Sequence, residues 1–351
     1  MKRITKSRIL IGMIFALLVS ALHGSPANAA KVVRIGVFAN VTHASALVAI
    51  ERDTIKNALD AAGYDVQFVA FNAGPSAIEA MKAASIDMSF IGPNPAVSGY
   101  VSTRGSLLRV VSGVTSGGAS FITKPSITTV AQLRGKTFAT PQLANTQDVA
   151  LRAYLKSKGY KTSVFGGGDV TISPTDNATT LSLFKNGTID GAWVPEPWAS
   201  RLVLEGNGRV FLNEKELWPQ GTFTTTVLIS SNAFLTSNPS AVRAVIKSVS
   251  DTNKWMSNNS AAAKDAVQAQ LLRWTGKKLS DAVINRAWTQ ISPTLNPVAS
   301  SIKKSADDAV KDKLLNLGTI GIKNLLDLRI LNTFLASESR PKISAGGLGK
   351  D

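Results

Sequence analysis

Asn145, Thr146 and Gln147 stand side by side where a loop gives way to a helical pattern. The start of a helix carries unpaired N–H groups and a partial positive charge. Three polar side chains beside them make a seat for an anionic oxygen. The plain alternative is an N-cap, for which one Asn or Thr suffices. Asn40, Thr42 and His43 form a second group, just after an apolar run. A helix amino terminus disfavours protonation, so His43 is expected there as a neutral hydrogen-bonding imidazole or as a cap. Gly92, Asn94 and Ala96 form a third group, around prolines that cannot donate. The expected donors are the N–H groups of Asn94 and Ala96. Glu196 and Trp198 complete the set. The carboxylate would repel an anion, so it calls for a ligand amine, an arginine or its own helix start. Trp198 is expected against an apolar ligand body.

This inventory excludes several chemistries. There is no cysteine, and His43 is the one histidine after residue 29. No metal-ligand cluster, nucleophile–base pair or cofactor motif emerges, so no metal and no cofactor is expected. The candidate loops contain no Lys or Arg, so an anion would be held by aligned dipoles and hydrogen bonds.

The elements that position these residues repeat. Lys82-Ala-Ala-Ser-Ile-Asp87-Met-Ser-Phe-Ile-Gly-Pro93-Asn-Pro95 is echoed about 103 residues later by Lys185-Asn-Gly-Thr-Ile-Asp190-Gly-Ala-Trp-Val-Pro195-Glu-Pro197. Each reads as a helix end, a turn, a buried strand and a Pro-x-Pro loop. Asp87 and Asp190 are expected in structural hydrogen bonds, and Trp193 in strand core. Strands are expected at Val32–Phe38, Asp65–Phe71, Ile86–Ile91, Leu108–Val114, Lys136–Thr140 and Phe223–Ser230. A helix is expected from Ala44 to about Ala62, and mostly helix follows Asn238. The β-α-β order implies largely parallel sheets with right-handed crossovers. Loops at the carboxyl ends of such strands are where ligands sit. Two of them facing each other make a clamp.

The chain has 351 residues, enough for two cored lobes. Residues 1–29 read as a secretory leader: basic residues Lys2, Arg3, Lys6 and Arg8, an apolar run Ile9–Leu22, and Ala27-Asn28-Ala29 before the cut. The run is short for a membrane span. Losing the four leader bases takes the net charge from +16 to +12. The bases are scattered without interleaved aromatics, so no nucleic acid is expected as partner. A positive field would favour anionic solutes.

Phe71-Asn-Ala-Gly-Pro75, Ile86-Asp-Met-Ser-Phe-Ile-Gly92, Thr129-Val-Ala-Gln-Leu-Arg-Gly-Lys136, Gly187-Thr-Ile-Asp-Gly-Ala-Trp193 and Glu196-Pro-Trp198 follow in order along the chain. In these stretches it resembles the periplasmic solute-binding proteins of bacterial ABC importers for sulfonates, taurine and nitrate. The resemblance covers nearly the whole chain after the leader. It implies an α/β, two-lobed periplasmic-binding-protein (venus flytrap) fold, each lobe a mostly parallel sheet flanked by helices. Lobe I is expected from 30–119 and 228–337, lobe II from 120–227, and a disordered tail from 338–351. It further implies a small anionic ligand between the lobes, delivery to a membrane permease with its ATPase, a free periplasmic location and a monomer. The ligand-contacting residues expected are those named above. Two other readings stay open: a secreted lyase or dehydratase on the same fold, and a ligand sensor for a membrane receptor.

Overall fold

A computed structural model describes residues 31–351. The expected leader and its cut after Ala29 lie outside them. In chain order the strands are β1 (Lys31–Phe38), β2 (Tyr64–Phe71), β3 (Met88–Ile91), β4 (Leu108–Gly117), β5 (Ala119–Thr123), β6 (Thr137–Thr140) and β7 (Thr171–Pro174). They continue as β8 (Gly191–Pro195), β9 (Arg209–Asn213), β10 (Thr224–Ser231), β11 (Ile291–Pro293), β12 (Leu326–Asp327) and β13 (Gly349–Lys350). They form two sheets. The first has the order β13-β12-β4-β10-β3-β1-β2, with β11 also on β4. The second is β7-β6-β8-β5-β9. Helices flank both, giving a two-lobed α/β fold. Each sheet contains return strands: β10 runs antiparallel to β3 and β4, and β5 antiparallel to β8 and β9. These are the strands next to the crossings between lobes, where the chain must reverse.

The sequence repeat is a structural repeat. In the first sheet Ile35 and Gly36 pair with Met88 and Ser89. Adding 103 to every number gives the register of the second: Phe138 and Ala139 pair with Gly191 and Ala192. The two aspartates do the same job at the same offset. Asp87 accepts the Arg34 N–H at 2.9 Å, and Asp190 accepts the Thr137 N–H at 3.0 Å. Each satisfies a donor at the strand end and fixes the register of a parallel pair, where a one-residue slip would turn every side chain to the other face. Asp87 is also held by Arg34 Nη2 at 2.8 Å, and Asp190 by Lys124 Nζ at 3.1 Å.

The inner strands β5, β6 and β8 of the second sheet are buried on both faces. Alternation along its strands divides two cores. Phe121, Phe138 and Trp193 pack on one face with Tyr154, while Ile122, Ala139, Ala192 and Val194 pack on the other with Leu181 and Leu202. Trp193 is strand core as expected, stacked on Phe121 and donating to Glu214 at 2.7 Å. In the first lobe the helix Pro239–Asn258 buries the expected stripe Val242, Val245, Ile246 and Val249.

Four expectations change. The helix expected over 44–62 is two helices, Ala44–Glu51 and Thr54–Asp60, broken where Asp53 takes φ +54. The tail 338–351 is not disordered: Ala345 and Leu348 are buried and Gly349–Lys350 pairs with β12. Its apolar residues are too few to show a sequence pattern, and a waiting sheet edge orders them. The lobe boundaries shift as well. Ala119 pairs with Pro195 in the second sheet, and Thr224–Val227 belongs to β10 in the first. At the first crossing Gly117 and Gly118 both have positive φ, +77 and +78, which lets β4 turn directly into β5. The second crossing lies against it: the Gly117 N–H donates to Phe223 O at 3.3 Å.

Candidate binding site

Four loops related by the repeat meet between the sheets. His43 follows β1 and Gly92 follows β3. Of their counterparts 103 residues on, Thr146 follows β6 and Pro195 ends β8. All four line one small cavity of about 30 Å³, together with Phe38, Asn40, Thr42, Pro95, Asn145 and Gln147. A water needs about 10–15 Å³ of such space, so this cavity admits a few atoms and no more. Asn40 also borders a second, larger space of about 430 Å³, whose lining includes Trp198. The cleft thus has a tight inner cavity and a wide vestibule.

The inner cavity is polar without carrying a full positive charge. Thr146 opens the helix Thr146–Ser157, and Asn145 caps it by accepting the Asp148 N–H at 2.9 Å. That leaves the Thr146 and Gln147 N–H groups of the first turn without a backbone acceptor. The Thr146 hydroxyl is buried and has no partner. Behind this turn, Asp148 is buried and paired with Arg152 at 3.0 Å. It also accepts from Thr140 Oγ1 and the Ala144 N–H, both at 2.9 Å. The loop shape is therefore set by a satisfied ionic network beneath the cavity, and the unpaired donors face away from it.

His43 is 2 % exposed and stacks on Phe38. Burial lowers its pKa from 6.5 to about 3, so the ring is neutral. Its Nδ1 accepts the Phe38 N–H at 3.3 Å. The remaining proton therefore sits on Nε2, which makes that atom a donor. A neutral donor suits an anion without demanding a counter-charge.

The two lobes touch here. A Cβ added to Gly92 would stand 2.4 Å from Thr146 Oγ1. The Thr42 N–H reaches Glu196 O at 3.4 Å, and Trp198 Nε1 donates to Asn40 Oδ1 at 2.9 Å. Asn213 Nδ2 donates to Gln290 Oε1 at 2.9 Å. The structure is a closed arrangement.

Of the residues expected at the site, Asn40, Thr42, His43, Gly92, Asn145, Thr146 and Gln147 come together around the inner cavity. Asn94 and Ala96 do not. The Asn94 side chain is engaged by Ser305, whose hydroxyl donates to Oδ1 at 2.6 Å. The Ala96 N–H is used inside its helix, on Gly92 O at 3.4 Å. Pro95, between them in the chain, lines the cavity instead. Asn145 serves as the cap through its oxygen, with its nitrogen on Gln147 Oε1 at 3.3 Å. Glu196 is fully buried to one side. It accepts the Ser200 N–H at 3.0 Å and lies 3.3 Å from Arg286 Nη1, which also bonds Ser200 Oγ. Burial raises its pKa, and Ser200 and Arg286 counter that. Trp198 lines the vestibule, under the Arg201 guanidinium, which Glu205 neutralises. Arg286 carried no sequence signal, since its partners Glu196 and Ser200 are far along the chain. Pro195 did: it is the repeat counterpart of Gly92.

Residues 27–272 match the NMT1-like family. The chain belongs to that family. It is 25% identical over 212 residues to a putative binding protein of Brucella abortus, covering 60% of this chain and 63% of that relative. The chain thus spans less than two thirds of that relative's length. With a putative aliphatic sulfonates-binding protein of Bacillus subtilis it shares 22% identity over 97% of this chain and 98% of the other. The fold is that of the alkanesulfonate-binding protein from Xanthomonas axonopodis bound to MOPS, with TM-score 0.67 and 23% identity, covering 82% of this chain and 94% of that one.

Proposed function

We propose that this chain is the solute receptor of a bacterial ABC importer. It captures a small anion between its lobes and presents the closed form to a membrane permease driven by its ATPase. The observation that carries this is the inner cavity. Loops from both lobes converge there on unpaired donors: the first-turn N–H groups at Thr146 and Gln147, the unpartnered Thr146 hydroxyl and the neutral His43 ring. Such donors are already oriented and lose little on binding, so they hold an anion without a salt bridge. Contacts made across the lobes tie capture to closure. The relatives named for aliphatic sulfonates favour a sulfonate head, for which three oxygens match several donors. The leader expected from the sequence supports a periplasmic location, and the two sheets are read as the two lobes. Among the described residues no helix is long and apolar enough to cross a membrane. No turnover is part of this reading.

The test is mass spectrometry of ligand released from natively purified protein, followed by calorimetric titration with methanesulfonate, nitrate and trimethylammonium. Binding of an anion and not the cation, with the ligand recovered unaltered, is expected. Binding of the cation alone, or conversion of ligand beyond stoichiometric amounts, would defeat the proposal.

A further inference from the structure

Glu196 stands between Pro195, which lines the inner cavity, and Pro197, which lines the vestibule. Glu196 itself lines neither space, and its side chain is 0 % exposed. It belongs to the second lobe, directly after β8, as does Ser200 in the helix Trp198–Leu204. The cation opposite comes from the first lobe. Arg286 is carried by the helix Asp281–Trp288, whose Ile284 and Ala287 are buried in the first lobe's core. Its Nη1 lies 3.3 Å from Glu196 Oε1 and donates to Ser200 Oγ at 2.9 Å. The Ser200 N–H donates to the other carboxylate oxygen at 3.0 Å. One further ion pair joins the lobes among the described residues, Lys156 to Asp312 at 3.3 Å. Its lysine is 55 % exposed, so solvent screens that attraction, whereas Arg286 is 26 % exposed. A buried carboxylate is strongly unfavourable unless a cation and hydrogen bonds compensate it. For Glu196 that cation is on the opposite lobe, so it is in place only while the lobes are together.

We propose that Arg286 is a positioning residue that clasps the lobes through Glu196 and Ser200 and sets the lifetime of the closed form without touching the ligand. None of the three residues lines the inner cavity or the vestibule. The inference rests on the reading of the cleft as a ligand clamp and adds what holds that clamp shut. It also accounts for a carboxylate placed beside a seat for an anion. The charge of Glu196 is answered from across the cleft, so a bound anion does not face an uncompensated negative group. Parting the lobes breaks the pair, and the ligand is freed by the same movement.

The experiment is a mutant cycle on the full chain, read with methanesulfonate by calorimetric titration and by the dissociation rate in stopped-flow tryptophan fluorescence. Arg286→Met should weaken binding about thirtyfold, nearly all of it as faster dissociation, because the clasp forms only after the lobes have met. Glu196→Gln keeps an acceptor for the Ser200 N–H and should cost about threefold or less. Adding Glu196→Gln to Arg286→Met should recover about tenfold, since no uncompensated charge is then buried. Thermal unfolding without ligand checks that each variant is folded, and Arg286→Gln replaces Arg286→Met should that one not fold. An arginine variant that binds and releases like the parent chain would overturn the clasp. So would a loss that Glu196→Gln does not recover, since Arg286 would then act on something other than Glu196. Failure of the parent chain to bind methanesulfonate would defeat the sulfonate reading instead. The clasp is then read by small-angle scattering of ligand-free protein, where Arg286→Met must be more expanded than both the parent and the double variant, and equal radii would overturn it.

Discussion

Gly92→Ala is a wedge placed between the lobes. Gly92 has φ −68 and ψ 152, which alanine adopts freely, so the change adds no backbone strain in its own loop. The new Cβ would meet Thr146 Oγ1 at 2.4 Å, where ordinary contact begins near 3.4 Å. The loops must part by about 1 Å along that line, or Thr146 must leave its rotamer, which a β-branched side chain resists. Overpacking of this kind costs about 1–3 kcal/mol. Gly92 and Thr146 belong to different lobes, so the cost falls on the closed form and appears as roughly five- to 150-fold weaker binding. Calorimetric titration with methanesulfonate reads the affinity, and small-angle scattering with and without it reads closure. The atom responsible can be removed. In a Thr146→Ala background the next contact of the new Cβ is Thr146 Cβ at 3.5 Å, an ordinary distance, so adding Gly92→Ala should then change affinity little. If Gly92→Ala binds and contracts like the parent chain, or is equally harmful in both backgrounds, the loops do not meet as described.

Three further outcomes are expected. Thr146→Val replaces an unpartnered buried hydroxyl by an isosteric methyl, so it should weaken anion binding about tenfold while leaving stability in urea unchanged or up to about 1 kcal/mol higher. Asn145→Ala loses the cap on the Asp148 N–H and should cost about 1 kcal/mol in the same denaturation assay, ligand or none. Burial raises Glu214 to about 7 from an ordinary value of 4.5, against the lowering influence of its bond from Trp193; the Trp218 indole lowers it too, although its N–H makes no hydrogen bond. Between those values the folded chain holds a proton that the unfolded chain releases, so this group's contribution should fall as pH rises from about 4.5 to 7, by up to about 3 kcal/mol. Glu214→Gln should remove that fall when stability is compared across the range.

The repeat at 103 residues was legible in one dimension because it is carried by chemistry that recurs with the fold. An aspartate before each strand must satisfy the neighbouring strand's N–H, the strand must be apolar on both faces, and a proline-marked loop must leave the sheet. From that, two lobes with loops facing each other followed, and so did the segments 40–43, 92 and 145–147, since ligand loops lie at the carboxyl ends of such strands. Which atoms in those segments are free was not legible. It depends on what comes to meet them. Asn94 was taken by Ser305 and Glu196 by Arg286, each far along the chain and each brought close only by packing of the helices Ala299–Lys311 and Asp281–Trp288. The tail was ordered by the free edge of β12, a partner no local pattern encodes. A residue's capacity to bind is written in its type, but whether that capacity is spent inside the protein is decided by neighbours in space. That is why Thr146, in sequence one of three adjacent polar residues, emerges as the one whose buried hydroxyl stays unpaired beside the inner cavity.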